Sequence, residues 1–155
     1  MFLRKDEIKQ LNKTLEESYN LPSFFSKKDA IEKKNNIIYK NREPLFFEYE
    51  GRIVPTLKFI LKLQGENKNF LKKIVVDMPA VPFMAKGADV MRPGIVEFDD
   101  NIKENEIIVI VDQNNKKALA IGISTLSSEG LKETDKGKVI KNIHYVGDEI
   151  WKAQF

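Results

Sequence analysis

Apolar residues near the start of the chain recur with the spacing of a helix. Ile8, Leu11 and Leu15 lie three and four positions apart, with polar and charged residues between them. A helix over residues 4–19 would therefore have one apolar face. Pro22 ends this pattern, because proline lacks the amide hydrogen that a helix needs and restricts the residue before it. The spacing predicts an amphipathic helix over residues 4–19.

Shorter apolar segments follow in the rest of the N-terminal half. Residues 27–34 fit a second helix more weakly, whereas residues 37–39 and 45–49 are rich in β-forming residues and flank a polar turn, which is typical of a hairpin. Pro55 opens a predicted short helix over residues 57–63, because the first helical turn tolerates a missing amide hydrogen. This half is predicted to be a small α/β domain.

The pattern changes near residue 73, where short apolar runs separated by turns replace the helical spacing. Five or six short strands with little helix indicate a small barrel or sandwich. We therefore place a domain boundary here and predict an α+β protein with an N-terminal domain at residues 1–73 and a β-rich domain at residues 74–155. The predicted strands occupy residues 74–76, 95–98, 106–111, 118–123 and 139–143.

Composition narrows the chemistry that this chain can support. Hydrophobic residues make up 42% and charged residues 32% of the 155 positions, which is typical of a globular protein. The absence of cysteine excludes disulfides, iron–sulfur clusters, cysteine-ligated zinc and a thiol nucleophile. The charged N-terminus does not resemble a signal peptide, and no apolar stretch reaches the ~18 residues of a membrane span. We expect a cytoplasmic protein with no membrane partner.

Charge is distributed unevenly along the chain. The formal net charge is +3, but residues 1–73 hold 16 basic against 10 acidic residues, whereas residues 74–155 hold 10 against 13. The first half is therefore positive by six charges and the second negative by three. An anionic partner would be attracted first to the N-terminal half.

The most distinctive segment of the sequence is residues 86–95. Gly87 and Gly94 give its backbone freedom, a proline stiffens it, and Lys86 and Arg92 add two cations. Without reference to any family, these residues predict a basic loop with a defined backbone conformation. A tight barrel connection without a binding role accounts for the glycines equally well.

In this segment Gly-Ala is followed by Val and then by Pro-Gly with a β-branched residue. That order resembles the signature of the PUA domain, a compact β-barrel found on pseudouridine synthases, archaeosine transglycosylases and translation factors. Residues 137–140, 142–145 and 148–151 resemble the end of the PUA domain in the malignant T-cell-amplified-sequence family of translation factors and its archaeal relatives. The resemblance implies a small pre-PUA domain followed by a PUA pseudobarrel.

The resemblance also implies RNA binding without catalysis, metal or cofactor. Glycines let the backbone approach a sugar-phosphate chain, and flanking cations contribute a salt-dependent attraction. Asp89 departs from this chemistry unless its carboxylate points away from phosphate or contacts a base edge. The implied RNA-binding residues are Met84, Ala85, Lys86, Gly87, Ala88, Asp89, Val90, Met91, Arg92 and Pro93, with Lys72, Lys73 and His144 as additional candidates.

His144 has a plainer interpretation, because a lone histidine beside an apolar strand is more often structural than catalytic. Four functions stay open at this point. The first choice is a translation-associated factor that holds the CCA end of tRNA or small-subunit rRNA, with the small ribosomal subunit and a density-regulated-protein-like or initiation-factor-like protein as partners. The alternatives are an RNA-targeting accessory for modification such as pseudouridylation or archaeosine formation, a protein-interaction adaptor, and an enzyme, for which no motif is present.

Overall fold

The computed structural model describes all residues from 1 to 155 and contains two β-sheets. In the N-terminal half, the four strands form an antiparallel sheet in chain order. Leu11, Leu15 and Phe59 from its two helices pack with Phe46 of the sheet in one buried cluster. The elements are helix α1 (Lys5–Tyr19), strands β1 (Ile31–Lys34), β2 (Ile37–Lys40), β3 (Glu43–Tyr49) and β4 (Arg52–Pro55), and helix α2 (Leu57–Gly65).

Helix α1 confirms the element predicted from the spacing of its apolar residues. At its start, the Glu7 side chain accepts the N–H of Arg4 (2.9 Å), which satisfies a backbone donor that has no partner within the helix. The helix ends at Asn20, which takes the left-handed backbone conformation (φ 57°). The apolar face is buried at Leu11 and Leu15, so the helix is held by packing on the sheet.

The helix predicted over residues 27–34 is wrong, because residues 31–34 form β1. Asn35 and Asn36 both have positive φ (51° and 65°) and make the two-residue turn that joins β1 to β2. Such a turn matches the twist of antiparallel strands, and asparagine adopts it more readily than most residues. Strand pairing thus overrides the weak helical preference of this segment.

The helix predicted over residues 57–63 is confirmed as α2, but its start differs from the prediction. Pro55 ends strand β4 instead of opening the helix. The residue that caps α2 is Thr56, whose hydroxyl accepts the N–H of Phe59 (3.2 Å). The side chain of Thr56 also donates to the carbonyl of Pro44 (2.9 Å), which fixes the helix to the sheet.

The C-terminal half confirms the predicted strands and adds a two-residue strand between them. Its sheet has the order β6-β10-β9-β8-β5-β7, in which only β5 and β8 are parallel, and it forms a nearly closed pseudobarrel. None of the helices in the chain combines the length and apolar character needed to span a membrane. The elements are β5 (Lys73–Val76), α3 (Val81–Met84), β6 (Val90–Met91), β7 (Ile95–Phe98), β8 (Glu106–Asp112), β9 (Ala118–Ser124), α4 (Ser128–Glu133), β10 (Lys138–Tyr145) and α5 (Glu149–Lys152).

The C-terminal sheet buries residues on both of its faces. Successive side chains of a strand point to opposite faces, and in β5 Ile74 and Val76 belong to the cluster inside the pseudobarrel. Val75 instead belongs to a cluster that includes Leu57 and Ile60 of α2. The two halves therefore share one hydrophobic core, and their relative position is fixed by it.

His144 joins the two halves inside this shared core. It is fully buried, and its Nε2 accepts the N–H of Leu57, the first residue of α2, at 2.9 Å. Because a backbone N–H can only donate, Nδ1 must carry the proton in the neutral ring, and it donates to the carboxylate of Asp148 (2.9 Å). The ring of Phe47 packs edge-on against the imidazole. One histidine thus supplies an acceptor that the buried end of α2 needs.

Asp148 is held in its charged form by several donors. Burial by itself raises the pKa of Asp148, but the hydrogen bonds from His144 and from the backbone N–H groups of Trp151 and Tyr145 outweigh burial and lower the pKa below its ordinary value. The ionised carboxylate in turn fixes the tautomer of the histidine ring. The link from α5 through His144 to α2 is therefore complete at neutral pH.

We expect His144→Phe to lower the free energy of unfolding by about 1–3 kcal/mol, because the buried N–H of Leu57 would lose its acceptor. His144→Gln is the matched comparison, since its side-chain carbonyl reaches the position of Nε2 and keeps an acceptor there. Urea unfolding at neutral pH measures both variants. Equal stability of His144→Phe and the wild type would show that this hydrogen bond does not stabilise the junction.

Candidate nucleic-acid interface

A groove of about 520 Å³ opens beside α3 at the edge of the pseudobarrel. Buried Met84 and Val90 form its floor, and the other lining residues are more exposed. An open groove with an apolar floor and few charges suits a flat, partly apolar group such as a nucleobase. The lining consists of Ala80, Phe83, Met84, Gly87, Ala88, Asp89, Val90, Met91, Gly94 and Lys138.

Local hydrogen bonds shape the backbone on one side of the groove. The Asp77 carboxylate accepts the N–H of Ala80 (3.0 Å) and begins a 3₁₀ turn that leads into α3. A proline lies in the first turn of each of these short helices, where a missing amide hydrogen costs little. After α3, the N–H of Gly87 returns to the carbonyl of Met84 (3.1 Å). The loop therefore closes tightly on the end of the helix.

Gly87 is required at its position for two reasons. Its φ is +82°, a conformation that residues with a side chain rarely adopt. A Cβ at this position would also lie 2.6 Å from the Cε1 atom of Tyr145, far inside van der Waals contact. The tyrosine ring thus supports the loop directly, and the loop backbone remains open toward the groove.

The Asp89 carboxylate is used to hold the loop against β10. It accepts the backbone N–H of Asn142 (3.0 Å), and the Asn142 side-chain amide donates to the carbonyl of Ala88 (3.2 Å). One of the two carboxylate oxygens of Asp89 is therefore bonded to a backbone donor. The acidic residue Asp89 therefore has a structural role in this otherwise basic loop, because it binds the loop to β10.

Arg92 anchors the segment that follows β6. Its Nε donates to the carbonyl of Leu131 (2.7 Å), one of its terminal nitrogens donates to the carbonyl of Ile95 (3.2 Å), and its guanidinium lies over the ring of Phe98. These contacts fix the guanidinium within the protein. An RNA contact by Arg92 stays a prediction, and the structure gives the residue a packing role of its own.

Exposed apolar side chains border the groove. Phe83 is 59% exposed and Met91 is 47% exposed, although both are large hydrophobic residues. A flexible thioether and an aromatic ring beside an open groove form a surface on which a base can stack. Single exposed hydrophobic residues are ordinary on protein surfaces, whereas these two lie together in one groove.

Two lysines supply the free positive charge near this groove. Lys138 lines it, because β10 pairs antiparallel with β6 and places this residue opposite Met91. Lys86 is exposed on the loop that follows α3. Neither ammonium group has a carboxylate partner within 4.0 Å, so both can meet phosphate.

The three additional candidates lie away from the groove. Lys72 donates to the carbonyl of Asn101 (2.5 Å) and forms an ion pair with Glu106 (3.1 Å). Lys73 lies at the start of β5 and lines a different surface. His144 is inside the shared core, where both ring nitrogens have protein partners. The structure therefore does not bring these residues together with the loop.

Few polar side chains line the groove. Asp89 and Lys138 are the charged residues of its lining, and no serine, threonine or histidine lines it. No group of three or more His, Asp or Glu side chains in the chain is arranged to hold a metal ion. The groove presents an apolar surface, backbone groups, one carboxylate and one ammonium group.

Comparison with protein families decides the class of this chain. Residues 72–146 match the PUA domain, and residues 1–63 match a domain of unknown function, DUF1947. The uncharacterized protein MJ1432 of Methanocaldococcus jannaschii is 43% identical across 97% of this chain and 93% of that protein. This chain belongs to the PUA-domain protein family. The PUA domain is an RNA-binding domain, so the groove lies on a domain with that general function.

Eukaryotic relatives extend the family beyond archaea. Translation machinery-associated protein 20 of Schizosaccharomyces pombe is 32% identical over 70% of this chain. Malignant T-cell-amplified sequence 1 of Rattus norvegicus is 32% identical over 74% of this chain. The match with this chain covers 60% of the length of the Schizosaccharomyces pombe relative and 63% of the length of the Rattus norvegicus relative. The family resemblance expected from the sequence is confirmed.

Solved structures confirm the α+β fold with its PUA pseudobarrel. The hypothetical protein PH0734.1 of Pyrococcus horikoshii OT3 superposes with a TM-score of 0.82 at 32% identity, covering 98% of this chain and 97% of that protein. A chain from an H/ACA ribonucleoprotein bound to a substrate RNA shares the fold with a TM-score of 0.50 at 23% identity, over 65% of this chain and 29% of its own. The second likeness concerns the fold alone.

Within the PUA domain, the sequence-based site and the observed groove overlap in part. Six predicted residues line the groove, whereas Ala85, Lys86, Arg92 and Pro93 lie outside its lining. Sequence reasoning missed Lys138, because only the pairing of β10 with β6 brings it to the groove. The shared residues are Met84, Gly87, Ala88, Asp89, Val90 and Met91.

We expect Gly87→Ala to destabilise the PUA domain more than Gly51→Ala does. Both glycines have positive φ, but a Cβ at Gly51 meets no atom within 4 Å, whereas one at Gly87 collides with Tyr145. Gly51→Ala should cost about 1–2 kcal/mol from backbone strain alone. Thermal and urea unfolding measure both variants. Equal losses of stability in the two variants would show that the Tyr145 ring moves aside without a further cost in free energy.

Proposed function

We propose that this protein is a non-catalytic RNA-binding protein of the translation machinery, which holds a single-stranded RNA end in the PUA groove. The CCA end of tRNA, or a segment of small-subunit rRNA, is the proposed ligand. The observation that carries this proposal is the open groove of about 520 Å³ that exposed Phe83 and the glycine loop line together. Translation machinery-associated relatives support the cellular context.

The groove offers each interaction that a single-stranded end requires. An aromatic ring that stacks on one base contributes about 1–3 kcal/mol and does not depend on base identity. Gly87 and Ala88 line the groove, so the loop backbone there can contact the sugar-phosphate chain. Lys86 and Lys138 add attraction to phosphate that weakens with salt. The proposed recognition therefore combines stacking, backbone contact and two cations.

The side chains that line the groove support the proposal of binding without catalysis. A hydrolytic or transfer reaction needs a nucleophile and a base within hydrogen-bond reach of each other. The one carboxylate in the lining, that of Asp89, is bonded to the backbone of Asn142. We therefore propose that any chemistry on the bound RNA is performed by a partner.

The proposed setting is the cytoplasm, on or near the small ribosomal subunit. Relatives named for the translation machinery and for malignant T-cell amplification match 70–74% of this chain. These relatives extend beyond the region that they share with this chain. The proposal also includes a protein partner, such as a density-regulated-protein-like or initiation-factor-like protein. The positive N-terminal half would favour encounter with ribosomal RNA.

Substitutions in the groove should weaken RNA binding through two separable effects. Phe83→Ala should lower affinity for unfractionated tRNA about 5- to 150-fold, the equivalent of one lost stacking contact. Lys86→Glu with Lys138→Glu should reduce the slope of log affinity against log salt by about 2 units, because two phosphate contacts are lost. Fluorescence anisotropy across a salt series measures both.

Matched controls separate these effects from surface changes. Phe2 is also exposed, at 64%, and Phe2→Ala should leave tRNA affinity unchanged. Arg92 is kept in all variants, because its bonds to Leu131 and Ile95 make its substitution a folding change. The same tRNA without its CCA end should bind the wild type more weakly. Unchanged affinity of the Phe83→Ala variant for tRNA would show that the RNA end does not bind in this groove.

We expect crosslinking in native cells to recover tRNA 3′ ends or small-subunit rRNA from fractions that contain ribosomal subunits. Sequencing of the crosslinked RNA identifies the ligand, and the free RNA pool is the comparison sample. Recovery of free tRNA together with a modifying enzyme would instead support an RNA-targeting accessory. Recovery of protein partners without RNA would contradict the proposal and support an adaptor.

A further inference from the structure

A second groove, of about 550 Å³, lies where the two halves of the chain meet. One wall is the C-terminal end of α2 with the loop that follows it, and the other is the β8–β9 hairpin with the start of β5. We call this surface the junction groove. Its defining residues are Gln64, Lys68, Lys73, Lys116 and Lys117.

The junction groove is strongly positive. Four lysines line it and no acidic residue does. Lys68 forms an ion pair with Glu66 (3.3 Å) and Lys116 with Glu97 (3.8 Å), and all four of these side chains are largely exposed. Exposed pairs of this kind exchange easily with other partners. The lining therefore carries four positive charges available to an anion.

Lys73 and Lys117 have no carboxylate within 4.0 Å. The nearest acid of the hairpin, Asp112, is buried and accepts the backbone N–H groups of Asn115 (3.1 Å) and Lys117 (2.7 Å). Asp99 is likewise bonded to the backbone N–H of Lys73 (2.8 Å). Both carboxylates thus shape the backbone, and the two ammonium groups remain free.

Hydrogen bonds within the protein hold the two walls of the junction groove together. The side-chain amide of Gln64 on α2 donates to the carbonyl of Lys116 and accepts the N–H of Ala118, both at 3.0 Å. This two-way bond ties one wall to the other. The arrangement belongs to neither half alone, because α2 comes from the N-terminal half and the hairpin from the PUA domain.

We infer that the junction groove is a second RNA-contact surface, which holds the sugar-phosphate backbone without reading bases. Its lining supplies ammonium groups and the neutral amides of Asn67, Asn69 and Asn115, which are donors that bind phosphate and sugar oxygens. Only Leu61 and Val109 are hydrophobic. An acidic protein partner would be expected to need a larger apolar centre.

The two grooves share no lining residue, and they border different buried clusters. Lys73 and Val109 share the face that packs on α2, whereas Met84 and Val90 belong to the cluster inside the pseudobarrel. The inference rests on the proposed function, and it assigns the junction groove to a second segment of a folded RNA.

The test uses the full chain with two RNA probes, unfractionated tRNA and the tetranucleotide ACCA. We expect Lys73→Glu with Lys117→Glu to weaken tRNA binding about 10- to 100-fold at 0.1 M salt and to reduce the salt slope by about 2 units. Binding of ACCA should not change. Lys9→Glu with Lys13→Glu, on the exposed side of α1, makes the same change in net charge and should have little effect.

Each result decides between the inference and its alternatives. If both double variants weaken tRNA equally, the effect is one of net charge and the inference is overturned. If the junction variant binds tRNA normally, the inference fails although the proposed function stands. If the wild type binds neither probe, the proposed function itself fails. Binding of polyglutamate as tight as that of tRNA would assign the groove to an acidic protein and overturn the inference.

Discussion

Helix α2 packs against the outer face of the PUA sheet, and the junction groove depends on this contact. Burying the first turn of a helix leaves backbone N–H groups that need acceptors. His144 supplies one of them to Leu57, and Asp148 holds the imidazole in the tautomer that can accept. The hydrophobic surface of α2 can therefore be buried without an unsatisfied donor at Leu57. The result is a hydrophobic cluster shared by the two halves, in addition to the separate cluster within each half.

The sequence predicts the elements of this fold better than it predicts their contacts. Helix α1 and the long strands are encoded by local spacing, which does not depend on the rest of the chain. Strand β1 was missed because pairing through the Asn35-Asn36 turn outweighs its weak helical preference. The shared core was not predicted, although the uninterrupted apolar run at residues 107–111 is typical of a strand buried on both faces.

The candidate site shows the same division between local and distant information. The glycine loop was found because its residues are consecutive and resemble a family signature. Lys138 reaches the groove through strand pairing across more than forty positions, which no local pattern reveals. Arg92 looked like a surface cation, but its carbonyl partners at Leu131 and Ile95 are set by tertiary structure. A cation's role therefore depends on acceptors that the sequence does not place.

The rigid junction between the two halves would affect which RNA molecules this protein binds. When two binding surfaces are joined flexibly, a ligand can adjust them, and selection depends mainly on each surface alone. Here Gln64 and His144 fix the two halves, so both grooves keep one separation and one orientation. An RNA that presents a free end and a backbone segment at that spacing gains both contacts without an ordering cost in the protein. Selection would then be by RNA shape, with no need for base-specific contacts.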